Sequence, residues 1–176
     1  MSWMKNLNQL KNWEVACEFS VGGFIDMGFS ELERGKLLCI SSQYAAVIDC
    51  DTGAKIHTEC EYDEWKRIAV CDRLPDETIK LCSVWNGGKR LESGQGESVK
   101  IITTEESVKG KIIQKDRIMF RTGNREVCIF DSYSIYGCTF CVRGDYFALA
   151  RDGGVTILKR KAEKHGGFLG FLMNRF

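Results

Sequence analysis

Nine cysteines supply the most reactive side chains of this 176-residue chain. The only C-x-x-C pair is Cys138-Thr-Phe-Cys141. That spacing serves redox chemistry when it opens a helix, and it serves zinc when two further ligands follow at matching spacing. This pair lies in a strand-like run, in which residues three apart face opposite sides of a sheet. Because there is no second such pair, we interpret both residues as buried strand cysteines and predict no metal site and no cofactor.

Five other cysteines recur at intervals of ten or eleven residues, which matches one strand and one turn of a meander. An odd number of cysteines fits free thiols in a reducing compartment better than a disulfide framework. The chain also begins without the basic-then-apolar order of a signal peptide, so we expect a cytoplasmic protein. The five regularly spaced residues are Cys39, Cys50, Cys60, Cys71 and Cys82.

The two histidines, His57 and His165, could each pair with a cysteine in a nucleophilic dyad. Neither lies in a recognisable catalytic motif. The sequence has no Gly-x-Ser-x-Gly, no His-Glu-x-x-His and no Gly-x-x-x-x-Gly-Lys. We therefore predict that the protein is not an enzyme. An enzyme that depends on a cysteine or on a metal ion is the least favoured of three interpretations, and the other two are both binding proteins.

The distribution of charge is more informative than the total. The formal net charge is +1, which argues against nucleic acid as a partner. The stretch from Asp49 to Glu77 carries a net −5, and the stretch from Val108 to Phe176 carries a net +7. This separation favours a surface that selects a charged protein partner. No apolar run approaches the roughly 18 residues that span a bilayer, so we expect no stable membrane insertion.

An acidic patch with two interleaved aromatic residues lies inside the negative stretch. Clustered carboxylates beside Tyr and Trp side chains can form a binding hot spot for a basic protein. The competing interpretation is a solvated connection between two sheets. The predicted partner-binding residues are Glu59, Glu61, Tyr62, Asp63, Glu64 and Trp65.

The elements that position these residues are short strands. Apolar and polar residues alternate from Trp13 to Val21, which indicates a half-buried strand. Glycine-rich turns follow one another closely, and Leu74-Pro-Asp-Glu77 reads as a further turn. Residues 2–12 could form a short helix, but no long amphipathic helix is evident. We therefore predict an all-β protein of antiparallel meander sheets.

The chain also repeats itself at an offset of 109 residues. Gly28-Phe-Ser30 aligns with Gly137-Cys-Thr139, and Arg34-Gly35 aligns with Arg143-Gly144. Each copy reads as a strand, a tight Arg-Gly turn and two more strands. A unit of this kind buries its sheet face against a neighbouring unit rather than alone.

The first copy resembles a blade of a β-propeller of the WD40-like kind, in which the third strand commonly ends in an acidic residue followed by a Thr-Gly turn. Asp49-Cys-Asp-Thr-Gly53 fills that place, although the usual Trp-Asp and Gly-His pairs are absent. The resemblance implies about four blades for a chain of this length. We expect one domain over 1–176, with a basic and apolar tail over 160–176. Its architecture would be a minimal or incomplete propeller, or else a two-layer sandwich.

The segment Phe19-x-Val-Gly-Gly-x-Ile-x-Met-Gly-Phe-Ser30 also resembles small bacterial proteins of toxin–immunity neighbourhoods. That resemblance implies an immunity protein that neutralises a toxin by occluding its active site or substrate surface. The expected partner is then a basic toxin domain. The alternative is a propeller-like scaffold that binds an endogenous protein or a small ligand.

Overall fold

The structure is a computed structural model that describes residues 4–83, 89–133 and 135–162. The predicted all-β class is confirmed, since these residues form fifteen strands, one 3-10 turn at Leu7–Gln9 and no α-helix. The helix predicted for residues 2–12 is reduced to that single turn. Most of the tail predicted over 160–176 lies outside the described residues, which stop at Ala162.

The strands alternate with tight turns along the whole described chain. They are β1 (Trp13–Phe19), β2 (Phe24–Phe29), β3 (Lys36–Ser41), β4 (Ala45–Asp49), β5 (Lys55–Thr58), β6 (Cys60–Asp63), β7 (Ile68–Cys71), β8 (Leu74–Lys80), β9 (Cys82–Ser83), β10 (Glu97–Val108), β11 (Lys111–Thr122), β12 (Arg125–Tyr133), β13 (Ile135–Phe140), β14 (Tyr146–Arg151) and β15 (Gly154–Arg160).

These strands form four antiparallel sheets, and none of the sheets closes on itself. Sheet 1 has the order β5-β4-β3-β2-β9, sheet 2 the order β6-β7-β8, and sheet 3 the order β10-β11-β12. Sheet 4 has the order β1-β15-β14-β13, so the first described strand pairs with the last. Sheets 2 and 3 are meanders throughout, as the sequence predicted, whereas sheets 1 and 4 each add one non-consecutive strand, β9 and β1, to a meander.

Three apolar clusters join the sheets in a row. One cluster packs sheet 2 against sheet 1, the second packs sheet 1 against sheet 4, and the third packs sheet 4 against sheet 3. Among the described residues no cluster joins sheet 2 to sheet 3. The arrangement fits stacked sheets of an all-β sandwich, and it does not show a closed propeller.

The two copies of the internal repeat form equivalent meanders, β2-β3-β4 in sheet 1 and β13-β14-β15 in sheet 4. Gly35 and Gly144 occupy the same turn of each copy, with φ of 71° and 70°. Glycine adopts this left-handed conformation without the steric cost that a Cβ would bring. The Arg-Gly turns found in the sequence therefore have one structural cause.

A buried ion pair joins sheet 4 to sheet 3 near Trp13. The Arg160 guanidinium donates to both carboxylate oxygens of Glu97, at 2.8 and 2.5 Å, and it lies 5.0 Å from the Trp13 ring centre. Ser93 adds a third hydrogen bond to Glu97 at 2.7 Å. Burial alone would raise the pKa of Glu97, but the hydrogen bonds from Arg160 and Ser93 outweigh it and lower the pKa.

One sequence prediction is wrong in sheet 2. Leu74 to Glu77 reads as a turn because of Pro75, whereas the structure starts β8 at Leu74. Strand β8 is an edge strand of its sheet, where the backbone N–H that proline lacks is not needed for pairing.

Candidate functional site

The turn between β6 and β7 is built by local hydrogen bonds. Asp63 Oδ1 accepts the backbone N–H groups of Trp65 and Lys66 at 3.0 and 2.9 Å. Arg67, at a φ of 55°, donates its backbone N–H to the Asp63 carbonyl at 2.7 Å. The N–H groups of Lys66 and Trp65 lower the pKa of Asp63. Asp63 therefore shapes the turn and is less available to a partner than its neighbours.

This turn carries Trp65 into solvent, where its side chain is 97% exposed. Three more large apolar side chains are exposed nearby in sequence: Ile56, Tyr62 and Val70, at 49%, 38% and 46%. Half of the exposed large apolar side chains of the described chain thus fall within residues 56–70. These side chains do not form one contiguous patch, because Ile56 belongs to β5 of sheet 1 and Tyr62 and Val70 point to opposite faces of sheet 2.

The six predicted contact residues do not all share one face. Glu61 lies opposite the exposed Val70, whereas Tyr62 lies opposite the buried Ala69 on the face that packs against sheet 1. Strand alternation separates them, because neighbouring residues of a strand point to opposite faces. Glu59 precedes the strand, and Glu64 and Trp65 belong to the turn. The structure thus brings the six residues to one edge of sheet 2 but not to one patch.

A buried carboxylate that the sequence did not single out lies behind this turn. Asp26 of β2 is 4% exposed, and its Oδ1 accepts no hydrogen bond from the described residues. Burial raises the pKa of Asp26 to about 6, the Glu64 carboxylate adds to the rise, and Arg67 opposes it. Little in the sequence indicates that Asp26 is buried, since a single acidic residue in an apolar run is also typical of the solvent face of a strand.

Cys138 and Cys141 are both buried, as the sequence predicted, but only Cys138 lies in a strand, because β13 ends at Phe140. All nine are free thiols, and Cys138 and Cys141 point into two different clusters on opposite sides of sheet 4. Burial raises the pKa of Cys138 to about 12, and burial also raises the pKa of Cys141, which donates to Asp145 at 3.0 Å. Neither thiol has the lowered pKa of a nucleophile. The recurring cysteines follow the strand repeat, and Cys60 lies directly opposite Cys71.

Of the two candidate histidines, only His57 lies among the described residues. His57 is exposed and packs edge-to-face against Tyr44, with ring centres 4.8 Å apart. His165 lies outside the described residues. Within the described ranges, no group of three or more His, Cys, Asp or Glu side chains could hold a metal ion. The same residues include no helix that could cross a bilayer.

A second surface feature combines three basic side chains in one cavity of about 300 Å³. Lys80, Lys89 and Arg90 line it together with one carboxylate, that of Glu31. In the sequence, Lys89 and Arg90 lie in a polar stretch between Asn86-Gly-Gly88 and Gly94-Gln-Gly96. Lys80 ends β8 of sheet 2, and a pattern of neighbouring residues cannot show that it lies beside this stretch.

Comparisons with known proteins add no relative. No family model matches the chain, and no curated protein or solved structure is similar to it. The function therefore has to be argued from the residues described above.

Proposed function

We propose that this chain is a non-enzymatic protein-binding module that holds a basic partner protein at the turn between β6 and β7. The observation that carries the proposal is Trp65, an indole 97% exposed on a turn that Asp63 fixes. Because a tryptophan side chain turns about only two bonds, it loses little conformational freedom on binding, and it offers a partner a surface of roughly 200 Å². Tryptophan is accordingly enriched among hot spots.

Charge supports a basic partner rather than an acidic one. Glu61 and Glu64 are exposed on either side of Asp63, and neither has an ion-pair partner within 4 Å among the described residues. Carboxylates around an apolar anchor steer an oppositely charged protein and reject one of like charge. The net −5 of the stretch from Asp49 to Glu77 acts in the same direction.

The more specific proposal is an immunity protein that acts in the bacterial cytoplasm and occludes a basic toxin domain. It is supported by the resemblance of the segment ending at Ser30 to proteins of toxin–immunity neighbourhoods. A scaffold that binds an endogenous protein is the alternative, and gene neighbourhood separates the two. We also propose that the four sheets are blades of an incomplete propeller. The equivalent meanders of sheets 1 and 4 support this, as does the pairing of β1 with β15.

The test measures binding to the product of the adjacent gene. We expect Trp65→Ala to weaken the complex at least about tenfold, because a central anchor is lost. Tyr133→Ala is the matched control, since Tyr133 is an aromatic residue 57% exposed on sheet 3, and it should leave the affinity unchanged.

A charge-reversal pair tests the electrostatic half of the proposal. Glu61→Lys with Glu64→Lys should weaken binding more strongly at low salt than at high salt. Glu105→Lys with Glu106→Lys makes the same change in charge on exposed residues of β10 and should have little effect. Absence of binding by the unaltered protein, or equal loss in both pairs, would refute the proposed site.

A further inference from the structure

The basic cavity lies where strands from three sheets, sheets 1, 2 and 4, end together. Phe29 ends β2, Lys80 ends β8 and Phe140 ends β13, and each lines the cavity. Cys82 at the start of β9 and Thr139 complete the inner wall, and both are buried. The close approach of these backbones requires glycine, because a Cβ at Gly28 would overlap the Lys80 carbonyl. The floor of the cavity is therefore rigid.

The charges that line the cavity do not balance. The Glu31 carboxylate lies 3.1 Å from Lys80 Nζ and 3.8 Å from the Arg90 guanidinium, so two cations share one anion. Lys89 has no carboxylate within 4 Å among the described residues. Among the described residues, the lining thus holds three cations and one anion. Like charges held together repel, and an anionic ligand of charge −2 would neutralise the excess.

The segment that carries two of these cations is fixed to sheet 4. The Arg90 backbone N–H donates to Thr139 Oγ1 at 3.0 Å, and the Phe140 N–H donates to the Arg90 carbonyl at 2.8 Å. The Arg90 side chain is nevertheless 43% exposed, so a ligand from solvent can reach its guanidinium. A fixed backbone beneath a basic side chain lowers the entropy cost of binding.

We propose that this cavity binds the phosphate group of a small phosphomonoester. A guanidinium presents two parallel N–H groups to a phosphate, and two ammonium groups supply the remaining charge. The apolar side chain of Val142, which is 40% exposed, would contact the organic part of the ligand, whereas Phe29 and Phe140 are buried in two different clusters. A volume of about 300 Å³ lies at the small end of ligand pockets, which limits the ligand to a single ring with its phosphate. The cavity is lined by other residues than those of the turn around Trp65, and the proposal does not depend on the proposed protein partner.

Calorimetric titration with three probes tests the ligand class. Phenyl phosphate should bind with a dissociation constant below about 1 mM. Inorganic phosphate should bind more weakly, since it lacks the apolar part, and benzoate more weakly still, since it carries one negative charge. Equal affinity for benzoate and phenyl phosphate would show a carboxylate site and overturn the assignment to phosphate.

Variants then locate the site. Lys89→Ala with Arg90→Ala should weaken phenyl phosphate binding at least about tenfold. Lys100→Ala with Arg121→Ala removes the same charge from exposed residues of sheet 3 and should change affinity less than about twofold. Glu31→Gln should tighten binding about threefold, because it removes the anion that competes for Lys80 and Arg90.

Three outcomes would refute the proposal. The first is no saturable binding of phenyl phosphate up to about 10 mM. The second is equal loss in the two double variants, which would indicate attraction by overall charge. The third is weaker binding by Glu31→Gln in a variant whose circular dichroism is unchanged. Binding of the basic partner by Lys89→Ala with Arg90→Ala should persist, so the two proposals fail separately.

Discussion

Asp26 is a carboxylate whose environment opposes its charge. It lies on β2 behind the turn that carries Trp65, and burial raises its pKa to about 6, with Glu64 adding to the rise. A buried acid without a full set of hydrogen bonds is stabilised by its proton and destabilised by ionisation. Asp26 therefore lowers the stability of the fold at neutral pH, and it does so next to the proposed binding turn.

We predict a specific pH dependence for this residue. Its pKa is higher in the folded state than in the unfolded state, so the protonated carboxyl stabilises the fold below about pH 4, and this contribution is lost as pH rises through 6. Asp26→Asn should remove this loss of stability with rising pH, and it should raise the free energy of unfolding at pH 7 by about 2 to 3 kcal/mol. Urea unfolding between pH 4 and pH 7 measures this, with the exposed Asp76→Asn as control. An equal pH slope in the wild type and Asp26→Asn would contradict it.

Residue types and local spacing predicted part of the candidate sites. The exposed Trp65 among acids and the buried state of Cys138 follow from patterns of a few neighbouring residues. Asp26 and the basic cavity do not, because their properties arise from tertiary contacts. Lys80 and Arg90 meet at Glu31 only after β2 and β8 pack together, and a sequence pattern carries no such information.

At the scale of elements, the sequence between its glycine turns predicts strands over Phe24–Phe29 and Lys36–Ser41, and β2 and β3 have these bounds. The same pattern predicts two strands, Lys111–Ile113 and Arg117–Arg121, where the structure has one unbroken strand, β11, from Lys111 to Thr122. The polar residues around Lys115 interrupt the apolar pattern because much of this long hairpin is exposed. Burial patterns cannot reveal a strand that extends beyond the core.

Gly28 and Gly137, which are equivalent in the repeat, and Gly22 should differ in how much an alanine substitution lowers stability. A Cβ at Gly28 would overlap the Lys80 carbonyl, a Cβ at Gly137 would lie 3.3 Å from Cys82 Sγ, and Gly22 faces open space. Gly28→Ala should lower the free energy of unfolding by about 2 to 3 kcal/mol, Gly137→Ala by less, and Gly22→Ala hardly at all. Chemical denaturation followed by circular dichroism ranks the three. A different order would mean that β8 and β9 shift easily from β2 and β13.

At the scale of the whole molecule, three apolar clusters link four sheets. Trp13 belongs to the cluster that packs sheet 4 against sheet 3. Its ring packs edge-on against Phe120 and Phe140, with centres 5.3 and 5.9 Å away, and it is 2% exposed. The strand that carries it is the first described strand, held against the last through the Trp13–Arg160 pair. Sheet 3 thus depends on a contact between distant parts of the chain.

We predict that Trp13→Ala destabilises the molecule by about 3 to 5 kcal/mol, since it removes a large buried ring and leaves a cavity. Trp65→Ala changes the same residue type at a 97% exposed position and should alter stability by less than about 0.5 kcal/mol. Thermal unfolding followed by circular dichroism avoids tryptophan fluorescence, which both variants change. Similar losses in both would mean that the exposed indole packs against the fold in solution.

The pairing of β1 with β15 also fixes how the molecule responds to a pulling force. The two strands are antiparallel, and Trp13 and Arg160 lie at the same end of the pair. Force applied before Trp13 and after Arg160 acts on this end, across hydrogen bonds that run perpendicular to the strands. The bonds would then open one after another rather than in parallel. Sheet 4 should therefore unzip at low force, starting at the contact that holds sheet 3 in place.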